Sequence, residues 1–253
     1  MDPSHVPVLL QGGWADLLPT QVEDWLFIWE NLPYLLEGLV VTILLTVASL
    51  LLGLLAGFPA GAIEVYGRGP LRSAVRAAGV AIRGTPILVI LVITFFVVPI
   101  PFPNADSTLF GVTFAQGAFA AATLGLGLRS AAYQSQIFRG ALQSVSEGQM
   151  EAARSVGLSK VAAIRFVIMP QALRRSIPGF QNEFTIVLKD TSVAFAIGLF
   201  ELFARGEDIF IQQTTATLEL FLVISLIYFV LTFATNRSLD YLGQYYAIPG
   251  GNT

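Results

Sequence analysis

Residues 38–63 read GLVVTILLTVASLLLGLLAGFPAGAI, and nothing between Glu37 and Glu64 is charged. A helix that crosses a bilayer needs about 20 consecutive apolar residues, so Gly38 to Ile63 is expected to be a membrane span. Its glycines at 53, 57 and 61 recur every four residues and mark a face where another helix can approach closely. Pro59 points to a bend or to the end of the span.

The rest of the chain agrees with lipid as its solvent. Of 253 residues 55% are hydrophobic and only 12% charged, with a mean hydropathy of +0.70, too apolar for an ordinary soluble domain. The formal net charge of -3 supplies no basic field for nucleic acid. With no cysteine, disulfide, zinc-thiolate, iron-sulfur and cysteine-nucleophile chemistry are excluded, and the lone histidine, His5, sits in a polar N-terminal tail. Asp2, Asp16, Glu23, Asp24, Glu30 and Glu37 precede the first span, the wrong sign for the basic start of a signal peptide, so no cleavage is expected.

A second charge-free stretch runs from Gly84 to Ala105 and closes on Pro99, Pro101 and Pro103, where a helix must stop. A third follows Asp106, continues past Arg129, and carries Gly117, Ala121 and Gly125 at four-residue spacing. A fourth, from about Pro178 to Phe200, is mainly apolar yet contains Glu183, Lys189 and Asp190. A fifth runs from about Thr215 to Asn236 and includes Glu219, expected at the outer interface, the alternative being a partner for a substrate ammonium. The fold class is therefore all-α, an integral membrane bundle of about five transmembrane helices.

Cytoplasmic loops retain positive charge, which sets the orientation. Arg68, Arg72, Arg76 and Arg83 lie between spans one and two, and Arg139, Arg154, Lys160, Arg165, Arg174 and Arg175 between spans three and four. The opposite loops carry Asp106, then Glu201, Arg205, Glu207 and Asp208. The N-terminus is thus expected outside and the C-terminus in the cytoplasm. Thr20 to Glu37, with Trp25, Trp29 and Tyr34, is expected to lie along the outer interface as an aromatic anchor. Three units follow: an extracytoplasmic tail and interfacial helix over 1–37, the transmembrane domain over 38–236, and a cytoplasmic tail over 237–253.

The cytoplasmic segment from Ser146 to Arg175 reads as a helical hairpin. Glu151-Ala-Ala-Arg-Ser-Val-Gly157 is followed by Leu158 and Ser159 as a turn and N-cap, then by a second amphipathic run ending at Pro170. Ala152, Ala153 and Val156 make a small apolar face shaped for a groove on a partner. A DNA-reading helix-turn-helix has similar spacing, but its second helix would carry only Lys160 and Arg165 as cations. The chain supplies no phosphate-cradling Gly-x-x-x-x-Gly-Lys-Ser/Thr loop, because neither of its lysines, Lys160 and Lys189, follows a glycine.

Glu151 to Pro170 resembles the EAA loop of ABC-importer permeases, with Glu-Ala-Ala at 151–153, a glycine four residues later at Gly157, and a hydrophobic-Pro end at Pro170. Further words resemble the polar amino-acid branch of histidine, arginine and glutamine permeases: Ile82-Arg-Gly-Thr-Pro86, Ser130-Ala-Ala-Tyr133, Ile137-Phe-Arg-Gly140, Pro170-Gln-Ala-Leu173, Asn182-Glu-Phe184 and Lys189-Asp-Thr-Ser192. The likeness covers roughly Leu36 to Asn236. This chain has Arg129 where that family usually carries asparagine before Ser-Ala-Ala-Tyr.

The resemblance implies a coupling loop at about 146–175, with Glu151, Ala152, Ala153, Gly157, Leu158 and Pro170 meeting an ATPase. It implies two permease chains, the same or paralogous, around one pathway, an extracytoplasmic solute-binding protein, and separate ATPase subunits that bind ATP and magnesium. No cofactor, metal or catalytic site is expected in this chain, which is read as a transporter subunit in the cytoplasmic membrane with lipid around it and no nucleic-acid partner.

Ionisable groups at bilayer depth cost about 2.5 kcal/mol or more and usually face a bundle interior or water. Asn182, Thr185, Lys189 and Ser192 fall on one helical stripe, and Glu183 and Asp190, seven apart, on a stripe beside it. These residues either line a substrate pathway or fix packing and interface position. A zwitterion needs a cation for its carboxylate, for which Arg129 is a candidate, its alternative being to snorkel from the cytoplasmic end of span three. Glu183, Lys189, Asp190, Ser192 and Arg129 are the candidate pathway residues for a polar amino acid, or alternatively an opine or osmolyte. A membrane-anchored helix-turn-helix regulator is the reading from a different class.

Overall fold

The computed structural model describes residues 22–99, 105–212 and 215–245. His5, Thr20, Pro101, Pro103 and the C-terminal tail beyond 245 lie outside the described residues. The chain is helical apart from one small hairpin, in which β1 (Asp106–Leu109) pairs antiparallel with β2 (Val112–Ala115), Asp106 opposite Ala115.

Helix α1 (Val22–Tyr66) is continuous over 45 residues and passes through both Pro33 and Pro59. At 1.5 Å per residue it extends roughly 67 Å, more than twice a hydrocarbon core of about 30 Å. The segment expected to lie along the outer surface and the first span therefore share one helix, and Pro59 does not end it. Gly67 and an extended Arg68 (φ -135°, ψ 160°) link α1 to α2 (Gly69–Gly84), which bends by 106° into α3 (Ile87–Phe96). The bend falls at Thr85-Pro86, where proline removes a backbone donor and holds Thr85 extended at φ -96°, ψ 131°.

Helix α4 (Gln116–Ser144) follows the β-hairpin and forms the spine of the bundle. It runs parallel to α1, with Leu52 meeting Gly127, Gly57 meeting Ala131 and Gly61 meeting Ser135, and the glycine ladder of α1 is where the two meet. A methyl added at Gly57 would lie 2.6 Å from the Ala131 carbonyl oxygen, and one at Gly61 2.7 Å from that of Ser135. On α4 itself Gly125 packs against Leu91 and Thr94 of α3, whereas Gly117 faces open space.

Beyond α4 come α5 (Glu147–Ser155), α6 (Lys160–Ala163), a π-helical turn at Ile164–Ile168, and α7 (Met169–Asp190). A 3-10 turn, Thr191–Ile197, leads to α8 (Leu202–Gln212) and then α9 (Thr217–Tyr245). Two corrections concern α7. The run expected to end at Pro170 continues through it, because the π turn has the Met169 amide bonding the Ile164 carbonyl and so makes room for a residue without an N–H. The fourth apolar stretch, expected from Pro178 to Phe200, is a helix only to Asp190.

Among the described residues two helices, α1 and α9, are long and apolar enough to cross a membrane, or three if α2 and α3 count as one bent span. Helices α4 and α7, at about 43 and 33 Å, are also longer than a hydrocarbon core of about 30 Å but carry polar residues on faces turned inward. One buried cluster joins Val41, Leu45, Leu91, Ala121, Leu126 and Ile197, and a second joins Ile28 and Leu35 of α1 to Leu202, Ile209, Leu220 and Ile224.

Candidate functional site

Two features stand out from the packed bundle. The first is the hairpin at the end of α4. Helix α5 closes with Gly157 in the left-handed region at φ 90°, where the amide of Gly157 bonds the Arg154 carbonyl at 3.0 Å and that of Leu158 the Ala153 carbonyl at 3.2 Å. This is the two-bond Schellman stop that glycine adopts without a Cβ penalty. The Ser159 hydroxyl then accepts from the Ala162 amide at 3.2 Å and opens α6, the N-cap expected from the sequence.

The hairpin is fixed to the bundle on one side only. Ala153, Ala163 and Ile168 are buried, and Ile168 joins Ala141, Leu142, Val145 and Ala172 in a cluster below the end of α4. Gln171 donates to Gln149 at 3.3 Å, and Arg175 donates to the Ser144 carbonyl and hydroxyl. On the outer side Glu151, Ala152 and Pro170 are exposed and Leu158 is half-buried. There the large apolar residues Val156, Val161 and Phe166 are 77%, 75% and 67% exposed. Ala153 therefore belongs to the hairpin's interior and not to its presented face. Val161 and Phe166 complete that face; their spacing from Val156 crosses the turn, so helical periodicity within either helix does not connect them.

The second feature is polar and lies midway along the bundle. Arg129 is 13 residues into α4, not at its end, and its guanidinium pairs with the Asp190 carboxylate at the last residue of α7. The same guanidinium lies over the Tyr133 ring at 5.3 Å from its centre. Glu183, two turns earlier on α7, is 3% exposed and interacts with Ser130 and Arg129. Asp190 and Glu183 thus reach α4 together, as their seven-residue spacing implies, and Asp190 finds its partner away from adjacent Lys189.

The other stripe divides. The Thr185 hydroxyl donates to Asn236 on α9 at 2.9 Å, Lys189 is exposed, and the Ser192 hydroxyl donates to the Lys189 carbonyl at 2.8 Å. Arg129, Asp190 and Glu183 form one cluster; Lys189 and Ser192 lie outside it.

Several charges that read as loop or interface residues are interior. Glu201 is fully buried and accepts from Tyr228 at 3.0 Å, Thr42 at 3.3 Å and the Ala204 amide at 2.8 Å, where it caps α8. Arg205 is 5% exposed, pairs with Glu37 at 2.5 Å, and lies 4.5 Å from the Tyr34 ring centre. Glu219, expected at the interface, is 3% exposed. The capping position of Glu201 before Leu202 was a signal in the sequence; the pairing of residues 168 apart was not.

Comparison with known proteins gives this arrangement a context. The pattern of the family described as "Binding-protein-dependent transport system inner membrane component" matches residues 49–246. The chain is 34% identical over 209 residues to the probable amino-acid permease protein YxeN of Bacillus subtilis strain 168, covering 83% of this chain and 89% of that one. It is 34% identical to the glutamine transport system permease protein GlnP of Escherichia coli K12, covering 83% and 91%. With the octopine transport system permease protein OccM of Rhizobium meliloti the identity is 35%, over 85% and 86%. A crystal structure of an amino acid ABC transporter with histidines matches at a TM-score of 0.75 and 30% identity, covering 89% of this chain and all of that one. The EAA-like hairpin, the helical bundle around α4 and these matches together place the chain in the family of inner membrane components of binding-protein-dependent transport systems.

Proposed function

We propose that this chain is the permease subunit of an ATP-binding-cassette importer for polar amino acids, crossing the cytoplasmic membrane about five times with its N-terminus outside and its C-terminus inside. The observation that carries the reading is the pairing of a one-sidedly anchored hairpin with a charged cluster some 20 Å up the same helix, α4, in a chain whose relatives transport amino acids.

The mechanism follows from that division. A separate ATPase closes on ATP and magnesium, and its movement reaches the bundle through Glu151, Ala152, Gly157, Leu158 and Pro170 on the hairpin, with Ala153 holding the hairpin together. Two permease chains, identical or paralogous, rock about a central pathway between outward and inward states. An extracytoplasmic binding protein delivers the solute. Arg129, Asp190 and Glu183 contact or select it, since charge at this depth is kept only where it faces water, substrate or a partner. Lys189 and Ser192 lie beside this cluster and contribute at the edge of the pathway.

Similarity to the octopine permease supports an amino-acid derivative of the opine kind as a second reading. Both are tested by purifying the chain with its copurifying ATPase and measuring ATP turnover with binding protein and a panel of solutes. Stimulation by one polar amino acid or opine is the expected result. An absence of any ATPase partner contradicts the proposal.

A further inference from the structure

Helix α2 has arginines that the bundle does not use. Arg68 stands at its N-cap, and Arg72 and Arg76 follow at four-residue steps, each step turning about 40° around the helix. Arg72 and Arg76 therefore share one side of the helix, and Arg68, extended at φ -135°, precedes them at its start. All are exposed, and among the described residues none is in an ion pair. The sequence of α2 contains no acidic residue. Glu64, just before it on α1, is 3% exposed and occupied by Gln136 at 3.0 Å and Arg139 at 3.9 Å. Arg83 differs: it donates to the Ala132 carbonyl at 2.6 Å and fastens the far end of α2 to α4.

Roughly a third of a turn from the arginines lies an apolar stripe of Leu71, Ala74, Val75, Ala78 and Ile82. Leu71, Ala74 and Ala78 are exposed, and Gly79 is the one residue of α2 that is buried. The helix is amphipathic and covers little of the bundle, so its apolar stripe is not a core-facing surface.

Its level is set by its neighbours. Val65 and Tyr66, just before α2, pack with Leu142 and Ile168 beneath the coupling hairpin. At its other end the long Arg83 side chain reaches up along α4 to the Ala132 carbonyl. Helix α2 thus leaves from the hairpin end of the bundle, turns across it, and bends by 106° into the uncharged, predominantly apolar α3. On the permease reading that end is cytoplasmic, where the leaflet surface is anionic and attracts basic segments.

We propose that α2 lies in the headgroup layer of the inner leaflet, where Arg68, Arg72 and Arg76 bind the phosphates of anionic phospholipids and Leu71, Ala74 and Ala78 enter the acyl boundary. Charge complementarity selects this occupant: arginines without acidic partners flank an apolar stripe, the arrangement of an in-plane membrane helix. The choice of leaflet rests on the permease reading; the contact with lipid does not.

The absence of cysteine makes the test direct. Ala74→Cys and, on the polar side, Ser73→Cys are labelled singly with an environment-sensitive fluorophore in the complex with its ATPase. The complex is placed in phosphatidylcholine vesicles containing 0–50% phosphatidylglycerol, with or without spin-labelled lipid. The probe at Ala74→Cys should be quenched by spin-labelled lipid much more than that at Ser73→Cys. Replacing Arg68, Arg72 and Arg76 together by Gln should raise the phosphatidylglycerol fraction at half-maximal quenching severalfold. An unchanged lipid dependence in the triple variant overturns the proposal, as does equal quenching at the two positions or crosslinking of Ala74→Cys to a second chain. These readouts need no transport, so their failure is distinct from failure of the permease reading.

Discussion

Arg129 and Asp190 are each about one-fifth exposed, and removing one leaves the other charged without its partner in a site where water is scarce. Arg129→Asn leaves Asp190 and Glu183 as two carboxylates without their cation. The account predicts a shift of uptake towards cationic amino acids, measured on an equimolar panel in assembled transporter; an unchanged profile contradicts a role for Arg129 in selection. Gly157 is tested differently. Its Cβ position is open, so a side chain there clashes with nothing, but φ 90° costs a non-glycine residue about 1–2 kcal/mol or more. Gly157→Val should let ATP hydrolysis continue while uptake falls at least severalfold, and normal coupling in correctly inserted protein counts against the hairpin's role. At this scale the sequence was legible where chemistry is local. The Gly157 stop, the Ser159 cap and the common face of Glu183 and Asp190 all follow from spacing, whereas the Arg129 to Asp190 pair joins residues 61 apart and needed the fold.

The contact between α1 and α4 makes the glycine ladder a test of element packing. Gly57→Val forces side-chain atoms onto the Ala131 carbonyl, and overpacking of this kind costs about 1–3 kcal/mol, read as a lower unfolding midpoint in detergent. Gly140→Ala, on α4, has open space at its Cβ and should leave the midpoint unchanged or raise it slightly, since alanine gains up to about 1 kcal/mol over glycine in a helix. Equal effects of the two substitutions contradict the packing described. Spacing alone identifies the ladder, but proline is a poor guide to where these helices end. Pro33 and Pro59 inside α1 and Pro170 in the first turn of α7, directly after the π turn, are tolerated because neighbouring helices or the π turn accommodate the lost donor. Hydropathy also merges α7 with the 3-10 segment after Asp190, since composition does not reveal a change of helical pitch.

For the whole molecule, a chain without native cysteine allows sidedness to be read one residue at a time. Thr108→Cys on the β-hairpin should react with an impermeant thiol reagent from outside intact cells, and Val156→Cys on the coupling hairpin only after the cytoplasmic side is opened. The two hairpins lie at opposite ends of the roughly 43 Å α4, so reaction of both from one side contradicts the proposed crossing. The placement of arginine and lysine along the chain points to this orientation, and the continuous uncharged stretch after Glu37 points to lipid as the solvent. What composition hides is the burial of Glu64, Glu183, Glu201, Arg205 and Glu219, since partners such as Gln136 for Glu64, Thr42 for Glu201 and Glu37 for Arg205 are distant in sequence. The most direct test of the central claim is ATP-dependent uptake from an equimolar amino-acid mixture into liposomes holding this chain with its ATPase and binding protein. Accumulation of one polar amino-acid class, abolished without ATP or without binding protein, is the expected result; accumulation of none, in vesicles whose ATPase is active and coupled to the permease, overturns the permease reading.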